Sequence, residues 1–358
     1  MRMGRKMKKD FLISETETIK EALKKLDKTA EKALIVVNNN NRLSGAISDG
    51  DIRRHILKGG GLEGTIQEIY NKNPIYLIKN KYSNKLVRKI FLENKIEFIP
   101  VVERDMEVID YITWDKFFAG ADMVPGRKLT IPVVIMAGGK GLRLDPFTKI
   151  LPKPLIPIGD KTIVELIIDE FRKNSIDEYF LTLNYKAEMI ESYFNGMEKP
   201  YNVRYIKEDD FYGTAGSLKL FEDRIKGAFI VSNCDVIVKA DYAEVVDIHS
   251  ESKADMTILS SIKHYKIPYG IVSFTKGGKV TDIIEKPEYT FTINTGVYIL
   301  NSEVLRFIPD KKCFDMTDLI KVLIENKKQI ITYPVNENDY IDIGEWEEYK
   351  KTVDRLRF

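Results

Sequence analysis

Hydrophobic segments in the first third of the chain recur at a fixed spacing. Phe11-Leu12-Ile13 returns as Tyr76-Leu77-Ile78, and Val36-Val37 returns as Val101-Val102, in each case 65 residues further on. When separate segments repeat at the same spacing, the sequence indicates a duplicated structural unit. The pattern therefore predicts two tandem copies of one small fold.

Within each copy the pattern predicts a strand, a helix, two further strands and a second helix. In the first copy, Thr18 and Glu21 form a capping box in front of a helical apolar stripe. The apolar runs Ala33–Val37 and Leu43–Ile47 follow as strands joined by an asparagine-rich turn, and a second helix begins near Gly50. We expect each copy to fold as a small sheet with two helices.

Beyond residue 130, predicted strands and helices alternate along the chain. The predicted elements are the strands Ile131–Met136, Tyr179–Leu183, Val203–Lys207 and Ala228–Ser232, a helix that starts at the Thr162–Glu165 capping box, and a helix over Thr214–Phe221. Such alternation predicts an α/β fold with a Rossmann-like mixed, mostly parallel sheet and helices on both faces. Ligands of these folds bind outside the carboxyl ends of the strands.

Composition and charge exclude several classes of protein. The chain has 358 residues, enough for two or three domains, and its 44% hydrophobic content excludes wholesale disorder. A formal net charge of +2 gives no electrostatic reason to expect a nucleic-acid partner. The distant Cys234 and Cys313 form no metal-ligand spacing, which fits a reducing cytoplasm. The longest strongly apolar stretch, Ile131–Gly139, is about half a membrane helix, so we predict a cytoplasmic protein without a membrane partner.

The first predicted strand of the second part ends in a glycine-rich loop, Ala137-Gly138-Gly139-Lys140-Gly141. Without Cβ atoms, the backbone N–H groups of such a loop approach a phosphate or a base closely. A Walker A loop would need Ser or Thr after Lys140. A dinucleotide-binding unit would need an acidic residue after the next strand, where the chain has Asn184-Tyr185. The loop therefore predicts nucleotide binding of another kind.

Charged residues beside prolines and at strand ends supply the candidate chemistry. Arg143 and Lys153 stand in a proline-stiffened loop, an arrangement that favours an anion bound between them. Asp235 ends a fully apolar strand and Asp342 occupies a similar position much later, so a hard divalent cation is a suitable partner for both. Each aspartate alone remains open to the simpler interpretation of a helix cap.

From Ala137 to Leu155 the sequence resembles the signature of the sugar-phosphate nucleotidyltransferases, and the resemblance extends over residues 131–358. Leu142 stands where that family has Thr or Ser. The resemblance implies that Arg143, Lys153 and Asp235 are catalytic and that Asp235 and Asp342 hold Mg²⁺. It also implies nucleotide contacts by Ala137, Gly138, Gly139, Gly141, Glu208, Gly213 and Thr214, and sugar-phosphate contacts by Gly270, Glu285, Lys286, Asn294 and Thr295.

Glu208 occupies the position that contacts the edge of the base in that family. Guanine offers two adjacent donors, N1–H and N2–H₂, which suit a carboxylate that accepts twice, whereas uridine and thymidine enzymes commonly have Gln there. Glu208 therefore favours GTP. Relatives that use UTP and also carry Glu leave a uridylyltransferase open.

The duplicated first part resembles a tandem pair of cystathionine β-synthase-type (CBS) domains. The resemblance gives residues 1–120 as a regulatory, nucleotide-sensing module and residues 121–130 as a linker. In that family the third strand ends in Gly-x-apolar-Ser/Thr-x-x-Asp, which is Gly45-Ala46-Ile47-Ser48-Asp49-Gly50-Asp51 in this chain. A carboxylate there accepts from both ribose hydroxyls, and the start of a helix beside it favours a phosphate.

Only the first copy carries the whole pattern. The resemblance implies that Ser48 and Asp51 hold the ribose of a regulatory nucleotide. The second copy has Asp110 in place of the glycine and Lys116 in place of the carboxylate, so one site per chain is expected. A pair that serves only in assembly is the alternative.

The sequence therefore predicts an enzyme that joins a nucleoside triphosphate to a sugar 1-phosphate with Mg²⁺ and releases pyrophosphate. The CBS-fused architecture with Glu208 is most similar to the glucosamine-1-phosphate guanylyltransferases of legionaminic acid biosynthesis. This similarity implies GTP, glucosamine 1-phosphate or a related hexose 1-phosphate, and a homo-oligomer. The alternatives are a thymidylyl- or uridylyltransferase acting on glucose 1-phosphate, and a nucleotide-sensing binding protein with an inactive transferase-like domain.

Overall fold

The computed structural model of the chain describes residues 11–29, 33–57, 60–94, 96, 98–118, 128–344, 346 and 348–350. The chain divides into two compact units, residues 1–118 and residues 119–358. The greater part of the predicted linker, residues 121–127, lies outside the described residues. No helix within the described part is both long enough and apolar enough to cross a membrane.

In its described residues, the first unit has two small three-stranded sheets and four α-helices. Its elements are β1 (Leu12–Ser14), α1 (Ile19–Thr29), β2 (Ala33–Val37), β3 (Leu43–Ser48), α2 (Asp49–Leu57), β4 (Leu77–Ile78), α3 (Asn84–Asn94), β5 (Phe98–Val102), β6 (Val108–Thr113) and α4 (Trp114–Phe118). In the first sheet β2 lies between a parallel β1 and an antiparallel β3. In the second sheet β5 lies in the same way between β4 and β6.

The two sheets of the first unit repeat each other in register. Ala33 pairs with Ser48 across β2 and β3, and Phe98 pairs with Thr113 across β5 and β6, both partners lying 65 residues further on. Each antiparallel pair also has a register shift at the equivalent position. The duplication predicted from the hydrophobic pattern is therefore confirmed at the level of backbone pairing.

The second unit alternates strands and helices around one large sheet. Its elements are β7 (Val133–Met136), α5 (Phe147–Ile150), β8 (Pro157–Ile158), β9 (Lys161–Thr162), α6 (Ile163–Arg172), β10 (Glu178–Leu183), α7 (Ala187–Asn195), β11 (Asn202–Lys207), α8 (Gly213–Gly216), β12 (Ala228–Asn233), β13 (Val236–Val238), α9 (Tyr242–Glu251), β14 (Met256–Lys266), β15 (Ile271–Phe274), β16 (Val280–Ile284), β17 (Glu288–Asn301), α10 (Met316–Glu325), β18 (Ile330–Val335) and β19 (Tyr340–Asp342).

The large sheet has the strand order β11-β10-β7-β12-β17-β14-β18. Every neighbouring pair is parallel except the two pairs that include β17, so the predicted mixed, mostly parallel sheet is confirmed. The interior strand β7 is buried on both faces, with Val133 and Ile135 in one hydrophobic core and Val134 and Met136 in the other. A strand covered on both faces needs a continuous apolar run, which is how it was recognised in the sequence.

The capping box predicted before α6 is present in the structure. The Thr162 hydroxyl accepts from the Glu165 N–H, and the Glu165 carboxylate accepts from the Thr162 N–H at 2.7 Å. This pair fixes the start of the helix whose apolar side chains share a hydrophobic core with Val133 and Ile135 of β7. The parallel strands β7, β10 and β12 then end at one edge of the sheet, where ligands of such folds bind.

The single helix predicted over Thr214–Phe221 is wrong. The structure has the one-turn helix α8, which ends at Gly216, followed by a 3-10 turn over Ser217–Phe221. The N–H groups of Ala215 and Gly216 both donate to the Phe314 carbonyl, at 3.0 and 2.8 Å. The segment around Phe314 therefore sits against the start of α8, and its close approach interrupts a regular helix.

Candidate functional site

The glycine-rich loop after β7 is folded tightly against neighbouring segments. Gly141 has φ +66°, and a Cβ atom there would lie 2.9 Å from Lys153 Cβ and 3.0 Å from Thr148 Cγ2. A Cβ atom at Gly138 would lie 2.7 Å from Glu208 Oε1. Glycine is required at position 141, where φ is positive and a side chain would push the loop away from Lys153, while a side chain at position 138 would displace the end of Glu208.

Lys153 and Asp235 form a nearly buried ion pair beside this loop. Lys153 Nζ lies 2.5 Å from Asp235 Oδ2, and the two side chains are only 7% and 15% exposed. Nη2 of the more exposed Arg143 lies 3.9 Å from the same oxygen. Two cations from the loop segment thus converge on one carboxylate at the end of β12, as the sequence pattern led us to expect of a site for anions.

Asp342 lies next to Asp235 because β13 pairs with β19. The Ile343 N–H donates to the Asp235 carbonyl at 2.8 Å, and the Gly344 N–H donates to Asp342 Oδ1 at 2.7 Å. A Cβ atom on Gly344 would lie 2.8 Å from Asp342 Oδ1 and 3.3 Å from Asp235 Oδ2. The missing side chain of this glycine therefore leaves a small space that both carboxylates face.

The chemistry of this space suits a hard divalent cation. Carboxylate oxygens are the ligands that Mg²⁺ prefers, and Mg²⁺ typically takes one or two of them and completes its shell with water and substrate phosphates. Among the residues that the structure describes, no group of three or more His, Cys, Asp and Glu side chains converges on one point. A pair of aspartates is therefore the donor set available here, and it fits Mg²⁺.

Tyr340 borders the two carboxylates as a neutral hydrogen-bond donor. Its hydroxyl donates to Asp342 Oδ2 at 3.3 Å. Burial raises the pKa of Tyr340, and the negative charges of Asp342 and Asp235 raise it further. The phenol consequently stays protonated over the physiological pH range and fixes one oxygen of Asp342.

A cavity of about 500 Å³ opens at the carboxyl ends of β7, β10 and β12. Its walls come from the glycine-rich loop, the strand ends and the loops around Glu208 and Cys313. The lining residues are Met136, Gly138, Gly139, Lys140, Gly141, Leu142, Arg143, Lys153, Thr182, Glu208, Phe211, Gly213, Thr214, Asn233, Cys234, Asp235 and Cys313. Its volume is in the usual range for sites that bind small molecules.

Glu208 lies at the inner wall of this cavity, directly after β11. Its N–H donates to the Leu183 carbonyl at 2.8 Å, and its own carbonyl accepts from Asn184 Nδ2 at 3.1 Å. Burial raises the pKa of the Glu208 carboxyl, while hydrogen bonds from Thr182 and the Tyr212 backbone act in the opposite direction. A half-buried carboxylate with a fixed backbone is suited to accept hydrogen bonds from a ligand.

Gly213 and Thr214 lie in the cavity wall and also hold the start of α10. The Thr214 hydroxyl donates to Asp315 Oδ1 at 3.1 Å and accepts from the Met316 N–H at 2.9 Å. Gly213 has φ +76°, and a Cβ atom there would lie 2.8 Å from Asp315 Oδ1. Within this structure the Thr214 side chain therefore serves the packing of α8 against α10.

The predicted sugar-phosphate residues Gly270, Glu285 and Lys286 flank the paired strands β15 and β16, and Asn294 and Thr295 lie on β17. A Cβ atom at Gly270 would lie 2.9 Å from Glu285 Oε2, and the exposed Lys286 Nζ lies 3.9 Å from Glu285 Oε1. Asn294 Nδ2 donates to the Tyr298 hydroxyl at 2.5 Å. The Thr295 hydroxyl is buried and donates to the Leu259 carbonyl at 2.8 Å, so this side chain braces the sheet.

A second cavity, of about 340 Å³, lies within the first unit. Ser48 and Asp51 line it from the first copy, and Phe98 and Pro100 line it from β5 of the second copy. The Ser48 hydroxyl donates to Asp51 Oδ2 at 2.6 Å, and Arg54 Nη2 donates to Asp51 Oδ1 at 2.6 Å. The two residues predicted to hold a ribose are therefore together, at the start of α2 and beside an apolar wall.

Comparison with known families agrees with this arrangement. The sequence model described as "Nucleotidyl transferase" matches residues 132–357, which is more than half of the chain. The chain belongs to the nucleotidyl transferase family. In the first unit, the sequence model of the CBS domain matches residues 4–58, the first of the two copies.

Two curated nucleotidyl transferases show how the similarity is distributed. The chain is 30% identical over 241 residues to the UTP–glucose-1-phosphate uridylyltransferase of Synechocystis sp., an alignment that covers 62% of this chain and 62% of that protein. It is 30% identical to the D-glycero-alpha-D-manno-heptose 1-phosphate guanylyltransferase of Aneurinibacillus thermoaerophilus, covering 63% of this chain and 97% of that one. The chain thus spans less than two thirds of the uridylyltransferase.

A solved structure gives the same fold for the transferase unit. The crystal structure of HddC from Yersinia pseudotuberculosis complexed with GMP-PN is similar with a TM-score of 0.51 and 26% sequence identity. The match covers 64% of this chain and 100% of that chain.

Most of the predicted catalytic and nucleotide-binding residues of the transferase unit meet at the 500 Å³ cavity. Ala137 does not, since its side chain is in the core and its N–H donates to the Thr182 carbonyl at 3.1 Å.

The cavity also has wall residues that sequence analysis did not assign. Lys140 Nζ lies 4.9 Å from the centre of the Phe211 ring, and Asn233 ends β12. The position of Phe211 in the sequence, between the predicted site residues Glu208 and Gly213, was the signal that could have indicated its place in the cavity wall.

Lys186 is a further residue of the transferase unit that the sequence did not single out. Its Nζ donates to the carbonyls of Thr148, Lys149 and Ile150 at 3.3, 2.6 and 2.8 Å. These carbonyls end the one-turn helix α5, where backbone acceptors have no partner within the helix. Lys186 therefore links the segment after β10 to the end of α5, and this contact stabilises the loop that carries Arg143.

We predict that Lys186→Met lowers the free energy of unfolding by about 1–2 kcal/mol, because three carbonyl acceptors lose a charged donor. Chemical denaturation of the whole chain measures the change. Lys161→Met is the matched control, since Lys161 contacts the partly exposed Asp169 and a surface pair contributes about 0–1 kcal/mol. Equal, small changes in both variants would contradict the stabilising role of Lys186.

Proposed function

We propose that the chain transfers a nucleotidyl group from a nucleoside triphosphate to a sugar 1-phosphate, with GTP as the preferred nucleotide. The observation that carries the proposal is the convergence of Arg143, Lys153, Asp235 and Asp342 at the strand ends beside a glycine-lined cavity. Membership of the nucleotidyl transferase family and the names of the two curated relatives support the same reaction class.

The reaction needs charge neutralisation more than acid–base chemistry. An oxygen of the sugar phosphate attacks the α-phosphorus in line, a new P–O bond forms, and the bond to the β-phosphate oxygen breaks to release pyrophosphate. The attacking phosphate is already ionised at neutral pH, so no general base is required. Arg143 and Lys153 hold the anionic groups, and positioning with charge stabilisation supplies the rate enhancement. Mg²⁺ held by Asp235 and Asp342 would neutralise phosphate charge and align both substrates.

Guanine is the base that best suits Glu208. A carboxylate presents only acceptors, and the Watson–Crick edge of guanine presents two adjacent donors. The heptose-phosphate guanylyltransferase relative and the HddC complex with GMP-PN support this preference. The uridylyltransferase relative supports the alternative base.

The residues proposed for the sugar phosphate are Gly270, Glu285, Lys286, Asn294 and Thr295. The ammonium of Lys286 would meet an anionic group, and Glu285 and Asn294 would offer acceptors and a donor for sugar hydroxyls. Gly270 leaves room for the Glu285 carboxylate. We propose glucosamine 1-phosphate or a related hexose 1-phosphate as the acceptor.

One experiment tests the reaction and its alternatives together. Pyrophosphate release is measured for four nucleoside triphosphates against glucosamine, glucose and mannose 1-phosphates, with and without Mg²⁺. We expect the highest kcat/KM for GTP with glucosamine 1-phosphate, and turnover only with Mg²⁺. Highest activity with UTP or TTP and glucose 1-phosphate would favour the alternative transferase, and no release with any pair would favour a nucleotide-binding protein.

We predict that Asp235→Asn and Asp342→Asn each reduce kcat by at least about a hundredfold, because loss of a metal carboxylate removes several kcal/mol of transition-state stabilisation. Asp310→Asn, a change at an exposed aspartate outside the site, is the matched control. Turnover is measured with saturating Mg²⁺, and thermal unfolding shows that each variant is folded. Near-unchanged kcat in a folded variant would remove that aspartate from the metal site.

We predict that Glu208→Gln lowers kcat/KM for GTP by about ten- to a hundredfold, since one guanine donor loses its acceptor, and lowers it less for UTP. Because burial raises the pKa of Glu208, its carboxyl takes up a proton at a higher pH than an exposed glutamate. In the unsubstituted protein kcat/KM for GTP therefore falls on acidification from above the ordinary Glu range, and Glu208→Gln lacks this fall. Glu198→Gln is the control, and an unchanged ranking of nucleotides would exclude contact with the base.

We propose that the first unit binds a regulatory nucleotide in its 340 Å³ cavity, at one site per chain. The match of the CBS domain to residues 4–58 and the position of Ser48 and Asp51 on the cavity wall support the proposal. Apolar residues such as Phe98 give a base a surface to pack against. The equivalent carboxylate is absent from the second copy.

We predict that Asp51→Ala weakens this binding by at least about tenfold, because the ribose hydroxyls lose a charged acceptor. Calorimetry with AMP on the whole chain measures it, since AMP lacks both the guanine edge proposed to contact Glu208 and the β- and γ-phosphates proposed to meet Arg143 and Lys153. Asp105→Ala is the control, an exposed aspartate of the same unit that pairs with Arg42 at 3.5 Å. Undiminished binding in Asp51→Ala, or none in the unsubstituted protein, would favour a module that serves only in assembly.

A further inference from the structure

The side chain of Trp346 contacts the loop that carries Arg143. Its indole Nε1–H donates to the Asp145 carbonyl at 2.8 Å, across 201 positions of the sequence. Its ring lies 4.8 Å, centre to centre, from the ring of Phe147. Arg143 is part of the 3-10 turn that ends at Leu144, directly before Asp145. Trp346 therefore holds the chain at the end of that turn, by one hydrogen bond and one ring contact.

The residues that precede Trp346 border the guanidinium of Arg143. A Cβ atom on Gly344 would lie 3.4 Å from Arg143 Nη2 and 2.8 Å from Asp342 Oδ1. The Gly344 N–H also donates to Asp342 Oδ1 at 2.7 Å. Trp346 stands two residues after Gly344 and four residues after Asp342. One short stretch of chain therefore faces the side chain of Arg143 and, through Trp346, holds the backbone of the loop that carries it.

Other aromatic contacts fix Trp346 in its place. The Tyr349 ring lies 5.7 Å from the Trp346 ring and 6.1 Å from the Phe147 ring, centre to centre. The Tyr349 hydroxyl donates to the Pro157 carbonyl at 2.9 Å. The three rings thus form one cluster that is anchored to the start of β8. An indole that is packed on both sides can hold its N–H donor at a fixed position, here against the loop backbone.

We propose that Trp346 is a positioning residue, which holds Arg143 where its guanidinium can stabilise phosphate charge beside Asp235 and Asp342. The proposal rests on the proposed function, because it starts from the role of Arg143 in nucleotidyl transfer. Nη2 of Arg143 lies 3.9 Å from Asp235 Oδ2, and the Arg143 side chain is 63% exposed. Since packing around so exposed a side chain restrains it little, the position of its guanidinium depends on the position of the loop backbone.

Loss of the Trp346 side chain should affect turnover more than binding. A charge that stabilises a transition state has to be in place before the reaction, and a displacement of about 1 Å can lower the rate about a hundredfold. Without the indole, the Asp145 carbonyl and the Phe147 ring lose their partner, so the loop samples more positions. The contacts proposed for the base, at Glu208, do not depend on this loop. We therefore expect kcat to fall while KM changes little.

The test compares Trp346→Ala with Phe307→Ala. Phe307 is a half-buried aromatic residue that packs against the hydrophobic core that contains Val134, so its removal is the matched control. For pyrophosphate release with GTP and Mg²⁺, we expect kcat to fall about ten- to thirtyfold in Trp346→Ala and less than about twofold in Phe307→Ala, with KM for GTP within about threefold in both. Trp346→Phe keeps the ring but lacks the N–H donor, so its kcat should lie between those of Trp346→Ala and the unsubstituted protein.

A double-mutant cycle separates positioning of Arg143 from a structural role of the ring. If Trp346 acts through Arg143, Trp346→Ala should lower kcat less than about twofold in a protein that already carries Arg143→Ala. A structural role alone predicts the same fold-decrease in both backgrounds. Equal decreases in the two backgrounds, or an unchanged kcat in Trp346→Ala, would overturn the proposal.

Failure of the proposed function gives a different result. In that case the unsubstituted protein releases no pyrophosphate with any pair of substrates, and the hold of Trp346 on the loop is measured by hydrogen exchange. The reporters are the amides of Leu144 and Asp145, whose hydrogen bonds of 3.0 and 3.3 Å close the 3-10 turn. Faster exchange of these amides in Trp346→Ala but not in Phe307→Ala supports positioning by Trp346, and equal exchange in the two variants overturns it.

Discussion

The Lys153–Asp235 ion pair is the interaction on which the rest of the site depends. With side chains only 7% and 15% exposed, each charge would be costly to bury without the other. The pair joins the loop after β7 to the end of β12, and the loop can reach Asp235 only because Gly141 adopts a positive φ and lets Lys153 approach. The glycine at position 141 and the Lys153–Asp235 charge pair therefore depend on each other.

The Lys153–Asp235 pair also determines which charges of the site are already neutralised before a ligand binds. Without substrates, the ammonium of Lys153 neutralises Asp235, while the Gly344 N–H and the Tyr340 hydroxyl occupy the oxygens of Asp342. At the proposed site, a divalent cation would have to share Asp235 with Lys153, and a phosphate would have to draw Lys153 toward itself. These two demands are compatible, since a phosphate that attracts the ammonium leaves the carboxylate to the metal. Binding of nucleotide and of metal is therefore expected to be mutually favourable.

A feature could be predicted from the sequence when it depends on residues close together in the chain, and could not when it depends on residues far apart. The strand ends, the glycine-rich loop and the α6 capping box depend on neighbouring residues, and local pattern was sufficient for them. Thr214 is different, because its hydroxyl contacts Asp315, 101 residues away, and no local pattern shows that partner. Thr295 likewise donates to the Leu259 carbonyl beside a register shift in the β14–β17 pair, and such a shift is set by the surrounding sheet.

Register explains the remaining gap between sequence and site. A strand pattern tells which residues share a face of their own strand, but the alignment with its neighbour decides which side chains meet, and a slip by one residue moves them to the opposite face. Tyr265 and Tyr289 are 24 positions apart and become direct partners only in the observed register. The Lys186 contacts with α5 arise in the same way, from the position of the segment after β10. Sequence reasoning therefore reaches the glycine-rich loop and the strand ends earlier than the contacts that depend on register.

This difference also separates two parts of the second unit physically. The glycine-rich loop, Lys153 and Asp235 belong to the parallel part of the sheet, where strand ends are fixed by buried neighbours on both sides. The antiparallel β14–β17 ribbon projects past β18 and β12, and its side chains Tyr265, Tyr289 and Phe291 are exposed. Substitutions at these exposed positions can therefore change the shape and polarity of one surface without disturbing the Lys153–Asp235 ion pair. A fold built this way can keep the ion pair constant while the exposed surface of the ribbon varies.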